Sequence, residues 1–270
     1  MSAAAFEHYR VQATPEAQRA GAVALAVASL PESFGPAVDE NSADVQVIAG
    51  QPDWTRHAVE AISAGARGIV VVNPSPENVN ELTETAARHK SAVVLDQRWA
   101  SNPATAAAED AVRSMAGRAV VLDVVATAPV GTDSGALLAD QLAAVVRLTG
   151  PLGNLRLLNR RPHGYTATAV LANGAPVALQ GIHSNARPAS VTITMLTDDG
   201  GAAVSLPDPV AAWPATVKIT GPHGELLLPT IYESAHRATW RRLKEHLDAG
   251  TLPSDLQQFA AVSESIATLT

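Results

Sequence analysis

Gly68-Ile69-Val70-Val71-Val72 is apolar at every position and stops at Asn73-Pro74. A strand with one face in water alternates; a run without polar residues belongs in a parallel sheet covered on both faces. The neighbouring segments agree. Upstream, Val45 to Ala49 is a second apolar run, closed by Gly50-Gln51-Pro52. Between the two, Thr55 to Ala64 carries Ala58, Ala61 and Ile62 at helical spacing before Gly65. Downstream, Ser75 to His89 reads as a helix, with Pro76 in its first turn and Val79, Leu82 and Ala86 on one face; Ala92 to Leu95 reads as another buried strand. Strands alternating with helices imply βαβ crossovers and a parallel sheet.

Working toward the amino terminus, Val23 to Ala28 is a short apolar run bounded by Pro31 and reads as a buried strand, while Met1 to Ala20 is polar, Ala-rich and expected to be partly disordered. Past Arg98 the pattern changes. Ala104 to Met115 and Ser134 to Leu148 read as helices on either side of a strand, Ala119 to Ala126. From Leu152 to Leu228 strand follows strand, with turns at Asn173-Gly174, Asp198 to Gly201 and Pro222 to Gly224. Ala235 to Asp248 and Ser254 to Leu269 are amphipathic helices. The chain thus divides into a small parallel α/β domain, residues 1–100, and a helix-flanked α+β domain with an open antiparallel sheet, residues 101–270. No internal repeat is visible.

Composition narrows the function. The 270 residues are 47% hydrophobic, enough for a substantial core, and carry a net charge of −7 with scattered Lys and Arg. A nucleic-acid surface wants clustered cations, so no nucleic acid is expected. There is no cysteine, which excludes disulfides, thiolate metal sites and Cys nucleophiles. No apolar run reaches membrane-span length and no signal peptide is read, so no membrane is expected and the expected location is cytoplasmic. No H-x-H or H-x-x-x-H spacing, G-x-S-x-G elbow or P-loop occurs.

Five motifs in order carry a family resemblance. Asp44 to Ala49 running into Gln51-Pro52 and His57 resembles "D-x-V-x-I-A-T-P-x-x-x-H". Gly68 to Pro74 resembles "H-V-L-V-E-K-P", and Gln97-Arg98-Trp99 with Asn102-Pro103 resembles "Q-R-R-F-x-P". Tyr165 to Leu179, with Asn173-Gly174 inside, and Ile219 to Leu226 resemble two hairpins, the second written "I-x-G-x-x-G-x-L". Together they resemble the Gfo/Idh/MocA family of NAD(P)-dependent oxidoreductases, which act mostly on sugars, inositols and related polyols. The resemblance implies a truncated Rossmann-like domain followed by the family's open-sheet domain.

The resemblance also says where the chemistry should sit, and there the sequence departs. No G-x-G-x-x-G occurs to seat a pyrophosphate on a helix N-terminus. Val23 to Ala28 falls on the family's second strand; too few residues precede it for a first strand, a glycine turn and a full helix, and a substitute strand at Phe6 to Val11 would still lack the glycines. Ala28-Ser29-Leu30 stands where an acidic residue takes the ribose. Asn73 replaces the catalytic Lys of E-K-P; it either donates a hydrogen bond there or caps the next helix, and in neither role does it shuttle a proton. Asp140 falls on or beside the position of the catalytic His, in a helix without His; it is a base only if desolvation raises its pKa, and otherwise a solvated helix carboxylate.

A ligand cleft is still expected between the domains. Gln97, Arg98 and Trp99 end the fourth strand, at the edge where α/β sheets bind ligands. Arg98 either clamps an anion or pairs with an acid, and Trp99 either stacks on a sugar or fills the junction. His183 either faces the cleft or is an exposed strand-end residue. Three functions follow. The first is a non-catalytic homologue that binds a small polyol-type ligand without cofactor, or partners a competent homologue, or forms a homo-oligomer through the sheet face bearing Val191, Ile193 and Met195. The second is an NAD(P)-dependent sugar or polyol dehydrogenase with atypical residues, its cofactor touching Gln51 and Pro52. The third is a lyase or hydrolase using Asp140 or Asp96.

Overall fold

The computed structural model describes residues 8–38, 43–208 and 213–269. The chain forms two compact units. The first runs to Gln97 and takes back His236–Ala260; the second is Arg98–Ala235 and resumes from Ala261.

The first unit is a parallel sheet of five strands, β1 (Tyr9–Ala13), β2 (Phe34–Pro36), β3 (Val45–Ala49), β4 (Gly68–Val72) and β5 (Ala92–Asp96), in the order β2-β1-β3-β4-β5. Every residue of β4 and β5 is buried, as their apolar runs require. One face is covered by α1 (Pro15–Gly21), α2 (Val23–Ala28) and α7 (Ala235–Ala249), which share a core with Tyr9, Val11, Val47, Val70 and Val94. The other face is covered by α3 (Trp54–Ser63), α4 (Asn80–His89) and the start of α8 (Asp255–Ala267), packed on Ile48, Ile69, Val71, Val93 and Leu95.

The amino-terminal expectation is overturned. Val23–Ala28 is a helix. Val23, Ala26 and Val27 are buried while Leu25 is 74% exposed. That is the i, i+3, i+4 stripe of a helix, and a short Ala-rich run does not betray its period by hydrophobicity alone. The domain therefore does not begin at its second strand. Tyr9–Ala13, expected in a partly disordered segment, pairs in parallel with both β2 and β3. The substitute strand read at Phe6 to Val11 is displaced to it; residues 6 and 7 lie outside the described residues. The segment that follows the second strand is thus Ala37-Val38, not Ala28 to Leu30. Asp39 and Glu40, next in sequence, lie outside the described residues. The helix read from Ser75 starts only at Asn80, so Pro76 precedes it instead of lying in its first turn.

The second unit is an eight-stranded sheet built from β6 (Ala119–Ala128), β7 (Gly153–Arg161), β8 (Gly164–Val170), β9 (Pro176–His183), β10 (Ser190–Thr197), β11 (Gly201–Pro207), β12 (Thr216–Gly221) and β13 (Gly224–Leu227), in the order β13-β12-β11-β10-β6-β9-β8-β7. All neighbours are antiparallel except β6 and β9. Helices α5 (Pro103–Ala116) and α6 (Ser134–Thr149) cover one face. Val191, Ile193 and Met195 lie under them, fully buried, so the expected subunit-contact face is corrected: the uncovered face carries Thr192, Thr194 and Leu196. Alternation separates the two faces of a strand, but does not say which one the helices take.

Candidate functional site

The carboxyl ends of β1, β3, β4 and β5 form the edge where parallel sheets bind ligands. At the first, β1 leads through Thr14 into α1. Thr14 Oγ1 accepts from Ala17 N at 3.2 Å, and Thr14 O accepts from Gln18 N at 3.0 Å. Pro15 opens the helix and has no N–H, and Glu16 places a carboxylate in the first turn. A pyrophosphate needs several N–H groups aimed outward and a backbone it can approach closely. Here the first turn offers the Glu16 N–H alone, beside a carboxylate that is paired with Arg19 at 2.8 Å.

At β3, Gly50 permits an interlock with β4: a Cβ there would lie 2.3 Å from Pro74 Cα and 2.4 Å from Asn73 O. Gly50 N donates to Val72 O and its carbonyl accepts from Ser75 N. Gln51 and Pro52 are exposed in the turn that follows. The adjoining N-terminus of α3 is already occupied, since the Glu77 carboxylate accepts from Asp53 N at 2.6 Å and from Thr55 N and Oγ1 at 3.3 and 2.9 Å. Asn73 is exposed, with φ of 51°, a conformation Asn tolerates better than most residues. It does not cap α4, whose N-cap is Val79.

At β5, sequence reading missed a pair. The buried Asp96 carboxylate is hydrogen-bonded by His236 Nδ1 and lies 3.5 Å from Thr239 Oγ1, both on α7. The partners are 140 residues apart, and neither stands in a recognisable motif. A carboxylate bonded at Nδ1 orients the imidazole ring. Gln97, next to it, is half-buried.

The second unit gathers Arg98, Asp140, Gln141 and Tyr165. Arg98 Nε lies 3.8 Å from Asp140 Oδ2, and its guanidinium sits over the Trp99 ring, 5.6 Å from the centroid. Trp99 is wholly buried, so its indole is a floor for Arg98 and presents no face for stacking a sugar. Asp140 is not a solvated helix carboxylate. Only 27% of its side chain is accessible, and burial, opposed by Arg98, pushes its pKa up to about 6. Tyr165 O–H donates to Gln141 Oε1 at 2.8 Å; Gln141 Nε2 in turn donates to Val124 O and Gln180 O. Burial, with the Asp140 charge nearby, drives the Tyr165 pKa upward, so the phenol stays neutral. His183 is buried rather than an exposed strand end; Nδ1 lies 3.3 Å from Pro162 O, and Nε2 has no partner among the described residues. No cluster of three potential metal ligands occurs among the described residues, nor any helix long and apolar enough to cross a membrane.

No protein-family model and no curated protein sequence matches the chain. Solved structures do. D-galactose-1-dehydrogenase from Rhizobium etli is similar with a TM-score of 0.70 at 17% identity, over 100% of this chain and 97% of that one. UDP-N-acetylglucosamine 3-dehydrogenase GnnA from Acidithiobacillus ferrooxidans is similar with a TM-score of 0.69 at 16% identity, over 97% of both chains. A variant of the 3-ketoreductase KijD10 from Actinomadura kijaniata, in complex with TDP-benzene and NADP, is similar with a TM-score of 0.68 at 14% identity, again over 97% of both. At such identities the likeness establishes the fold: a Rossmann-like sheet followed by the open sheet of Gfo/Idh/MocA dehydrogenases.

Proposed function

We propose that this chain is a ligand-binding protein on a sugar-dehydrogenase fold, acting without hydride transfer on a dinucleotide of its own. The observation that carries the reading is the turn from β1 into α1. Its opening proline, its Thr14 cap and Glu16 leave one N–H group for a diphosphate that elsewhere uses a glycine loop. Asn73 at the position of the family's Lys, and the helix of Asp140 without a His, support the same reading. The ligand is small and polar, held by Arg98 and Asp140. The uncovered face of the second sheet, with Thr192, Thr194 and Leu196 on β10, is the surface for a second copy or for a competent homologue.

A second reading, an atypical NAD(P)-dependent sugar or polyol dehydrogenase, draws on the buried Asp96–His236 pair at the end of β5 and on the KijD10 likeness, a protein crystallised with NADP. NAD(H) and NADP(H) titrations separate the two. A ligand at a hundredfold its Kd stabilises a fold by ~2.7 kcal/mol, a shift thermal melting reads easily. The first reading expects no shift and no change in nicotinamide fluorescence; saturable stabilisation by either nucleotide overturns it.

A further inference from the structure

We propose that Arg98 and Asp140 form a proton-linked site for a ligand bearing a carboxylate, with Arg98 gripping the carboxylate and Asp140 donating to it as a neutral acid. The proposal rests on the ligand-binding reading above and names the chemistry that the site takes.

Its basis is an unfinished ion pair. At 3.8 Å the Arg98–Asp140 contact is too long for a hydrogen bond, and it engages only the Nε edge of the guanidinium. Among the described residues Arg98 makes no hydrogen bond; its other contact is the Trp99 ring beneath it. The side chain is nonetheless only 28% accessible. Half-buried cations are ordinarily satisfied by protein acceptors. A guanidinium carries its N–H groups in its own plane, and those that do not face Asp140 have no acceptor among the described residues. There two parallel donors match the two oxygens of a carboxylate, whereas a single hydroxyl engages only one. Asp140 likewise accepts no hydrogen bond among the described residues.

A ligand carboxylate on Arg98 would bring a second negative charge beside Asp140. Two carboxylates sharing one cation cannot both stay ionised in a half-buried site, so one takes a proton. Asp140 is the better candidate, because burial already pushes its pKa up to about 6. Among the described residues, the charged and titratable groups facing it are Arg98, from the segment after β5, and Tyr165, from β8, which stays neutral. Binding therefore takes one proton from solvent. No covalent bond forms or breaks.

Isothermal titration calorimetry on the full chain tests this with acetate, D-gluconate and D-galacturonate against glycerol, xylitol and D-galactose. Runs at pH 5.5, 6.5 and 8 in buffers of different ionisation enthalpy count the protons. At least one acid should bind about tenfold or more tighter than its neutral counterpart, with close to one proton taken up at pH 8 and affinity falling about tenfold per pH unit above the Asp140 pKa. Asp140→Asn should abolish the proton uptake and flatten the pH slope. Arg98→Gln should remove binding, with Arg98→Lys, which keeps charge but not the fork, losing most of it; melting curves confirm that each variant is folded. Acids binding no better than neutral polyols, no acid binding at all, or proton uptake that survives Asp140→Asn each overturn the proposal. Nucleotide binding is scored separately, so a positive NAD(P)H titration sinks the cofactor-free reading without touching this one.

Discussion

Single residues here set both chemistry and tolerance. Asp140 has a folded-state pKa of about 6, above its ordinary 3.8. A raised carboxylate pKa means that the stability tied to its neutral form is fully present below pH 3.8 and is lost as pH rises through 6. Two pH units correspond to about 3 kcal/mol, and the quarter of the side chain left accessible lowers that to roughly 1–2. Asp140→Asn should therefore be more stable than the parent at pH 7–8 by about that amount, with the difference vanishing near pH 4; melting of both proteins across pH 4–8 checks it, and a pH-independent difference refutes it. Gly50→Ala should fail differently. The new Cβ meets the backbone of Asn73 and Pro74, which cannot rotate away, so β3 and β4 must separate, at a cost of about 3 kcal/mol or more in a denaturant titration. Sequence reading singled out Asn73, Arg98 and Asp140 as candidates because each stood in or near a recognisable motif. It could not reach His236 or the interlock at Gly50, since both depend on partners remote in the chain. Nor could it tell that Trp99 is a floor: an aromatic beside a charge reads the same whether the ring or the cation is outermost.

At the scale of elements, periodicity was legible wherever a run was long or uniformly buried. β4 and β5, α5 and α6, and most of the second sheet follow directly from pattern and turn residues. Short runs failed. The six residues of α2 fit strand and helix alike, and the two readings differ at two positions, Leu25 and Ala26. A strand would bury Val23, Leu25 and Val27 together; the helix buries Val23 and Val27 and turns Leu25 outward. Leu25→Gln should thus change stability by less than about 0.5 kcal/mol, while Val23→Ala should cost about 1–3. Equal losses at both positions, read from denaturant midpoints, would restore the strand. The same logic governs β10. There, a correct alternation was assigned to the wrong side, because a strand records its two faces but not which one α5 and α6 cover. Met195→Ala, which empties a core position, should cost about 2–5 kcal/mol. Leu196→Ala, half-exposed on the other face, should cost little unless that face is covered in an oligomer.

At the scale of the whole molecule, the distribution of apolar cover decides what folds alone. The first unit's sheet comes from the amino-terminal third of the chain, but much of its cover does not. Trp240, Leu243 and Leu247 of α7 lie in the core with β1 to β5, with Trp240 edge-on to Phe34 at 5.1 Å. Leu256 and Phe259 of α8 fill the opposite face against Trp54. Polar clasps tie them down: Tyr9 O–H donates to Asp248, Leu95 N donates to Asp255 at 2.8 Å, and Arg242 pairs with Asp255. Without these helices the sheet would expose Val47, Val70 and Val94 to water on the α7 side, which about 25 cal/mol per Å² makes prohibitive for so small a domain. A fragment of residues 1–97 is therefore expected to show no cooperative melting transition. The same fragment joined through a flexible linker to residues 236–260 should regain one, along with slow amide exchange in β3, β4 and β5. Cooperative melting of residues 1–97 alone would mean that the returning helices are accessory. Failure of the joined fragment would mean that the sheet depends on more of the chain than α7 and the start of α8.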